Sequence, residues 1–390
     1  MSKLISILLI FAAMTLSFHA PSQKPMFMPA PDSPFAVGNR PWDIAVGDVN
    51  KDGKLDMITA NMDDDNATVL LGNGRGGFKE APGSPFAAGA KPQFVALGDL
   101  NGDRKLDLAF TQHDGSYNVT ILFGKGNGEF NPAPDSPFIP LKSTDPHTHG
   151  LILNDVNGDG HLDIVTANAG FNAGSADNSV SVLLGNGSGI FRSATGSPFS
   201  LGKMPAGMIM GDVNKDERPD LVTPHEGSKD ISVLLGDGSG GFKAAADSPF
   251  DLRAYGNYVA IGDINQDRNP DLAITHDDSD LMTIFLGNGK GSFKAARGSP
   301  FDLGHRAWNV VIADMNNDAK MDLVLRGPNS RIMVLLGDGN GSFNPAAGSP
   351  FAVGAEPLSL AVVDINMDGK LDILTANKGS NNVTLLLGRK

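Results

Sequence analysis

The sequence predicts an all-β chain closed as a seven-bladed β-propeller of four-stranded blades, on three observations. An acidic nonapeptide, D-x-N-x-D-x-x-x-D, begins at Asp48, Asp99, Asp155, Asp212, Asp263, Asp314 and Asp364, at intervals of 51, 56, 57, 51, 51 and 50 residues. Each copy is followed by the same order of short β-branched runs and Gly-rich turns, the signature of a repeated strand unit rather than of helices. One repeat is also split between the two ends of the chain, as closure of a ring demands.

Taken in order, residues 1–20 read as a signal peptide. Lys3 supplies the positive start, "LISILLIFAAMTL" the apolar stretch, and Ala20 or Ser17 a small residue for cleavage. The run is too short to span a bilayer, and no later stretch is long and apolar enough to do so. Residues 21–26 form a short leader and 27–390 the propeller. The chain is therefore expected to be exported, to the periplasm, the cell surface or the medium, and to act as a monomer without a membrane span. It has no Cys, so no disulfide braces it. A formal charge of −13 argues against nucleic acid as a partner.

Within a repeat, an apolar run such as "PWDIAVGD" or "PQFVALGD" leads into the acidic loop. A second run ("LDMITAN", "LDILTAN") and a third ("ATVLLG", "VTLLLG") follow, then a Gly-rich hairpin such as "GNGRGG", then Phe and "SPF". The hairpin has the look of a phosphate loop, but no helix follows it, and a tight β-turn accounts for its glycines. The N-terminal "FMPAPDSPF" at 27–35 matches "FNPAPDSPF" at 130–138, while the C-terminus stops at "TLLLGRK", where a fourth strand is owed. The N-terminal strand should thus complete the last blade.

Carboxylates a few ångströms apart repel by roughly 1–4 kcal/mol per pair at a protein surface, so such a loop asks for a hard cation. Oxygens at positions 1, 3, 5 and 9, with the carbonyl of position 7, suit calcium better than magnesium, which keeps more water. The side-chain ligands are Asp48, Asn50, Asp52 and Asp56 in the first loop, then Asp99, Asn101, Asp103 and Asp107, and Asp155, Asn157, Asp159 and Asp163. The fourth and fifth loops supply Asp212, Asn214, Asp216 and Asp220, and Asp263, Asn265, Asp267 and Asp271. Asp314, Asn316, Asp318 and Asp322, then Asp364, Asn366, Asp368 and Asp372, complete a set for up to seven Ca²⁺. These are not EF-hands, because the twelfth position of the first loop is Thr59, inside a strand.

These residues resemble the FG-GAP/VCBS repeat family, whose propellers include the head of integrin α subunits, exported bacterial proteins, fungal lectins and polysaccharide lyases. The resemblance implies calcium loops between the first and second strands on one rim and partners on the opposite face. The family's Gly after the third ligand is present as Gly53, Gly160 and Gly369 but replaced by Arg104, Glu217, Arg268 and Ala319 elsewhere. If the position needs positive φ, those four loops carry strain.

The face opposite the loops is where the repeats differ. The third repeat is longer in two connections, which contain "STDPHTHG" and "NAGFNAGSADNS", and a pocket walled by His147, His149, Phe171 and Asn172 is expected there. Six residues before each loop stand Trp42, Gln93, His149, Ala206, Asn257, Trp308 and Leu358; five after its last Asp stand Asn61, Gln112, Asn168, His225, His276, Gly327 and Asn377. Trp42 and Trp308 with Asn, Gln and His would suit a sugar. The expected function is a binding or adhesion module for a glycan or an extracellular protein, the alternative being a polysaccharide lyase or hydrolase using His149, His225 or His276.

Overall fold

The structure is a computed structural model and describes residues 24–113, 118–140, 147–170 and 177–389, with only the backbone of His147. Every element of regular structure among them is a strand, arranged as seven antiparallel sheets. The sheets follow one another along the chain. In the first, Pro41–Gly47, Asp56–Asn61, Asn66–Gly72 and Phe78–Glu80 pair in sequence order, and the next five repeat that meander. The first strands of the sheets lie innermost, packed against one another at six of the seven junctions, so these strands surround a central axis. The last sheet joins Pro357–Val363, Asp372–Asn377 and Asn382–Gly388 to the N-terminal strand Phe27–Pro29, with Phe27 opposite Gly388 and Pro29 opposite Leu386. Closure through the N-terminal strand is as predicted.

Two devices repeat in every blade. The ninth-position Asp of each acidic loop is wholly buried, and its carboxylate accepts two backbone N–H groups. Asp56 takes those of Val49, in the loop, and Gly72, at the end of the third strand, at 2.9 and 2.8 Å. Asp163 takes those of Val156 and Gly185, and Asp372 those of Ile365 and Gly388. Gly is needed at that strand end because a Cβ on Gly72 would stand 2.0 Å from the carbonyl oxygen of Leu55.

The second device explains "SPF". Four strands make the main path of each blade, but after the fourth the chain turns and pairs a second time with the third. Phe35–Ala36 joins Asn382–Gly388 in this way, and Phe86–Ala87 joins Asn66–Gly72. At the break the Ser hydroxyl accepts the third-strand N–H that would otherwise lack a partner: Val69 to Ser84 and Leu385 to Ser33. The Phe then packs edge-to-face on the Phe that opens the next blade's fourth strand. These pairs run Phe86–Phe130, Phe138–Phe191, Phe199–Phe242, Phe250–Phe293, Phe301–Phe343, Phe351–Phe27 and Phe35–Phe78. Their centroids are 5.1–6.4 Å apart, so every blade junction has one. Phe27 and Phe35 belong to the N-terminal segment, which seals the ring on both sides of the last blade.

Candidate functional site

The seven acidic loops share one backbone. Their sixth position is left-handed throughout: Gly53, Gly160 and Gly369 at φ 79–82°, and Arg104, Glu217, Arg268 and Ala319 at φ 63–66°. The condition under which those four residues are strained is thus met. The fourth position is left-handed too, as at Lys51 and Gly102. This winding turns backbone amides inward, so that Asp48 accepts the N–H groups of Asp52 and Gly53, and Asn50 that of Asp52. Asp314 and Asp364 are held in the same way. Where position 7 is Lys, its amine reaches the position-5 carboxylate: Lys54 to Asp52 at 3.0 Å and Lys370 to Asp368 at 2.7 Å. That contact holds the Asp368 carboxyl below its usual range.

The donor set fits a hard cation, since every side-chain donor in the loop is oxygen. Burial pushes the Asp56 carboxyl up to about 6 against the pull of its two backbone amides, and Asp48 and Asp52 push it further. The other ninth-position carboxyls behave alike. Three carboxylates of a loop therefore feel one another, a repulsion that a cation would reverse. Among the described residues no three His, Cys, Asp or Glu side chains are drawn together as around an ion. As it stands, the loop satisfies its carboxylates with its own amides.

The opposite end of the channel is built from β-bulges. The pairing of first and second strands shifts register between Pro41 and Asp43, Pro92 and Val95, Thr148 and Gly150, Gly256 and Val259, and Pro357 and Ser359. A bulge lets two consecutive side chains point the same way. Both members of the pairs Gln93–Phe94 and Asn257–Tyr258 accordingly line one cavity of about 170 Å³ at the axis. Trp42, His149, Ala206, Gly207 and Trp308 join them, with His113 and Glu226 from second-strand ends. Gly207 makes room for an aromatic ring, since a Cβ there would stand 2.7 Å from Tyr258 Cδ1. Asp43 ties three blades together beneath, accepting from the Ser359 hydroxyl and from the amides of Val95 and Ile44. Burial raises its carboxyl against those bonds.

Six of the seven residues singled out six positions before the loops thus form this cavity; Leu358 is buried beside it. Trp42 is not an open platform. Arg40 Cζ and Lys378 Nζ lie 5.3 and 5.6 Å from its ring centroid, and His113 packs on it at 6.1 Å. His225 and His276 do not line the cavity and are corrected to blade-core residues, fully buried like their equivalents Asn61, Asn168 and Asn377. Each bridges second and third strands: His225 Nδ1 to Asp230, His276 Nε2 to Thr283 Oγ1, Asn61 Nδ2 to Thr68 Oγ1. Burial accordingly lowers the His276 pKa. Phe171 and Asn172, like most of both long connections and residues 1–23, lie outside the described residues. Of His147 the structure gives only the strand pairing with Ala169.

Glu226, Phe94 and Tyr258 were not anticipated. Glu226 is 21% exposed, and its carboxyl is pushed up to about 7 by burial and then by Asp277. His149 Nδ1 stands 4.0 Å from its Oε2, outside hydrogen-bond reach. Burial raises the Tyr258 hydroxyl, and the charges of Asp43 and Glu226 raise it further.

No helix of the described residues is long and apolar enough to cross a membrane. No curated protein sequence matches the chain. Among solved structures it is similar to BBS1N, determined in complex with ARL6DN, at a TM-score of 0.64 and 11% identity over 94% of this chain and 98% of that one. It is also similar to an Agrocybe aegerita lectin solved for its recognition of non-reducing terminal N-acetylglucosamine, at 0.54 and 20% identity over 86% and 85% of the two chains. Saccharomyces cerevisiae Sqt1 gives 0.54 and 13% over 93% and 98%. At such identities the likeness is one of fold alone. The model for the FG-GAP-like repeat matches residues 48–110, 99–166, 155–223, 263–325 and 320–375. Matched over most of its length and folded blade by blade along those repeats, the chain belongs to the FG-GAP-like repeat family.

Proposed function

We propose that the protein is an exported binding module, braced by calcium in its seven acidic loops, that takes the terminal group of a glycan into the mouth of its channel. The observation that carries the reading is the cavity itself: aromatic, polar and acidic side chains from six blades converge on about 170 Å³ at one end of the axis. Mixed aromatic and hydrogen-bonding walls are what a sugar requires. A volume below the roughly 300 Å³ at which drug-sized pockets begin points to one terminal residue rather than a long chain. Of the three histidines that a lyase or hydrolase would have used, only His149 reaches the cavity.

Calcium rests on the loop chemistry. Asp48, Asn50, Asp52 and Asp56 and their six counterparts would hold the ions, which would neutralise the loop carboxylates and fix the loops. Seven divalent ions would also bring the formal charge of −13 close to neutral. Export rests on residues 1–20. The test is a glycan array probed with the mature, calcium-loaded protein. A defined set of glycans should bind, and Trp308→Ala and Gln93→Ala should abolish binding while leaving the melting temperature within a few degrees. An empty array, or binding untouched by both substitutions, would remove the cavity as the site.

A further inference from the structure

The cavity's charge, not only its shape, selects a ligand. Trp42, Phe94, Tyr258 and Trp308 come to it from four different blades, and Glu226 is the acid among its walls. Rings presented around a carboxylate attract a cation, by the ring quadrupole and by Coulomb's law. Trp42 already draws Arg40 and Lys378 over its ring. Those two bring their own anions: Arg40 is 3.5 Å from Asp63, and Lys378 3.4 Å from Glu356.

The other acids near the floor are engaged. Asp43 accepts three hydrogen bonds, and Asp277 lies 3.0 Å from Arg306 Nη2. Glu226 has the imidazole of His149 at 4.0 Å and, among the described residues, no hydrogen bond to its carboxylate. The charges that act on the Tyr258 hydroxyl are both negative, and so is the one that acts on Glu226. A mostly buried carboxylate left in that state costs free energy, which a bound cation would recover.

We propose that this pocket binds the protonated amine of a terminal amino sugar, with Glu226 as counter-ion and the rings of Phe94, Tyr258 and Trp308 around the ammonium. The inference rests on the reading of the mouth as a glycan site and narrows it. An N-acetylated sugar, being neutral, leaves Glu226 uncompensated; a free amine does not.

The test is calorimetric titration of the calcium-loaded mature protein at pH 7.5 with glucosamine oligomers and with N-acetylglucosamine oligomers of equal length. The wild type and Glu226→Gln are compared at low and high salt. The free-amine oligomers should bind at least tenfold more tightly than the acetylated ones, and Glu226→Gln should remove that preference to within about twofold without lowering the melting temperature. Tetramethylammonium, a bare cation, should compete. Acetylated oligomers binding as well as free amines, with Glu226→Gln silent, would overturn the inference and leave the pocket standing. Amine binding that persists in Glu226→Gln and disappears with salt would be attraction of a polycation to an acidic surface, and would overturn it too. Binding of neither oligomer, together with an empty array, would remove the pocket reading as well.

Discussion

The two ends of the channel are made by the same seven repeats, one strand length apart, and they differ in what their side chains do. At the loop end each blade repeats one set of bonds: a buried Asp such as Asp56, Asp163 or Asp372 joins the loop amide to the amide ending the third strand. At the mouth one repeat position holds Trp42, Gln93, His149, Ala206, Asn257, Trp308 and Leu358. The buried Asp, whose two amide bonds recur at every acidic loop, is fixed in every blade. A residue that faces only the channel is released to differ. Strict repetition thus marks the scaffold at the loop end, while the mouth, like the blade-core position of Asn61 and His225, varies from repeat to repeat.

The largest effect should come from removing metal from the repeated end. With free calcium near 1 mM and dissociation constants near 0.1 mM, each loop adds roughly 1.4 kcal/mol and seven add on the order of 10. Melting in excess EDTA should therefore fall by roughly 10–15 °C. A melting curve indifferent to EDTA, from protein shown to be metal-free, would mean that the loops are braced by their own amides alone.

Next comes the division of labour inside one loop. Asp56→Ala removes the acceptor of two buried N–H groups and should cost about 3–5 kcal/mol even without metal. Asp52→Ala, at an exposed position, should cost under about 1 kcal/mol without metal and reveal itself only as weaker calcium binding. Equal losses for both in EDTA would contradict the stapling role of the ninth position.

The sequence made the fold legible because seven copies averaged away the ambiguity of any single strand, and because a repeat split between the termini admits closure. The mouth was half legible. Trp42, Gln93, His149, Ala206, Asn257 and Trp308 come together at one cavity because they precede the loop by a constant six residues. The second set missed by one residue. Side chains alternate along a strand, so the positions five after the last Asp, which include His225 and His276, point into the blade. His113 and Glu226, each six after the last Asp of its loop, line the cavity. That shift of one was the available signal. The bulges that turn Phe94 and Tyr258 inward left no mark in the sequence, nor did the second pairing of the third strand after "SPF".

At the divergent end, Glu226→Gln should stabilise. The Glu226 carboxyl is raised to about 7 from an ordinary 4.5, so the fold favours its neutral form. Its contribution is intact below about 4.5 and is lost as pH rises through 7, by about 2–3 kcal/mol. His149, Asp277, Asp43 and Tyr258 share its surroundings. Chemical unfolding at pH 8.5 should show the variant more stable by about that amount, and at pH 4 no different from wild type. The gain at high pH would be the mark of a residue kept for binding at the fold's expense. A variant less stable at pH 8.5 would make Glu226 part of the scaffold.

The smallest effect separates backbone from ligand in the loops themselves. The sixth position is left-handed whether it holds Gly53 at φ 79° or Ala319 at φ 64°, and a Cβ on Gly53 would meet nothing within 4 Å. Gly53→Ala therefore changes no contact and costs only the left-handed conformation, about 1 kcal/mol. Ala319→Gly removes the same penalty but returns freedom to the unfolded chain, so its gain should be about 0.5 kcal/mol. Both changes should appear in EDTA as fully as in calcium, because neither touches an oxygen donor. If instead they appeared only with calcium present, the left-handed turn would be imposed by the ion and not by the blade. The loop end would then be ordered by its ligand rather than by the hydrogen bonds of the blade.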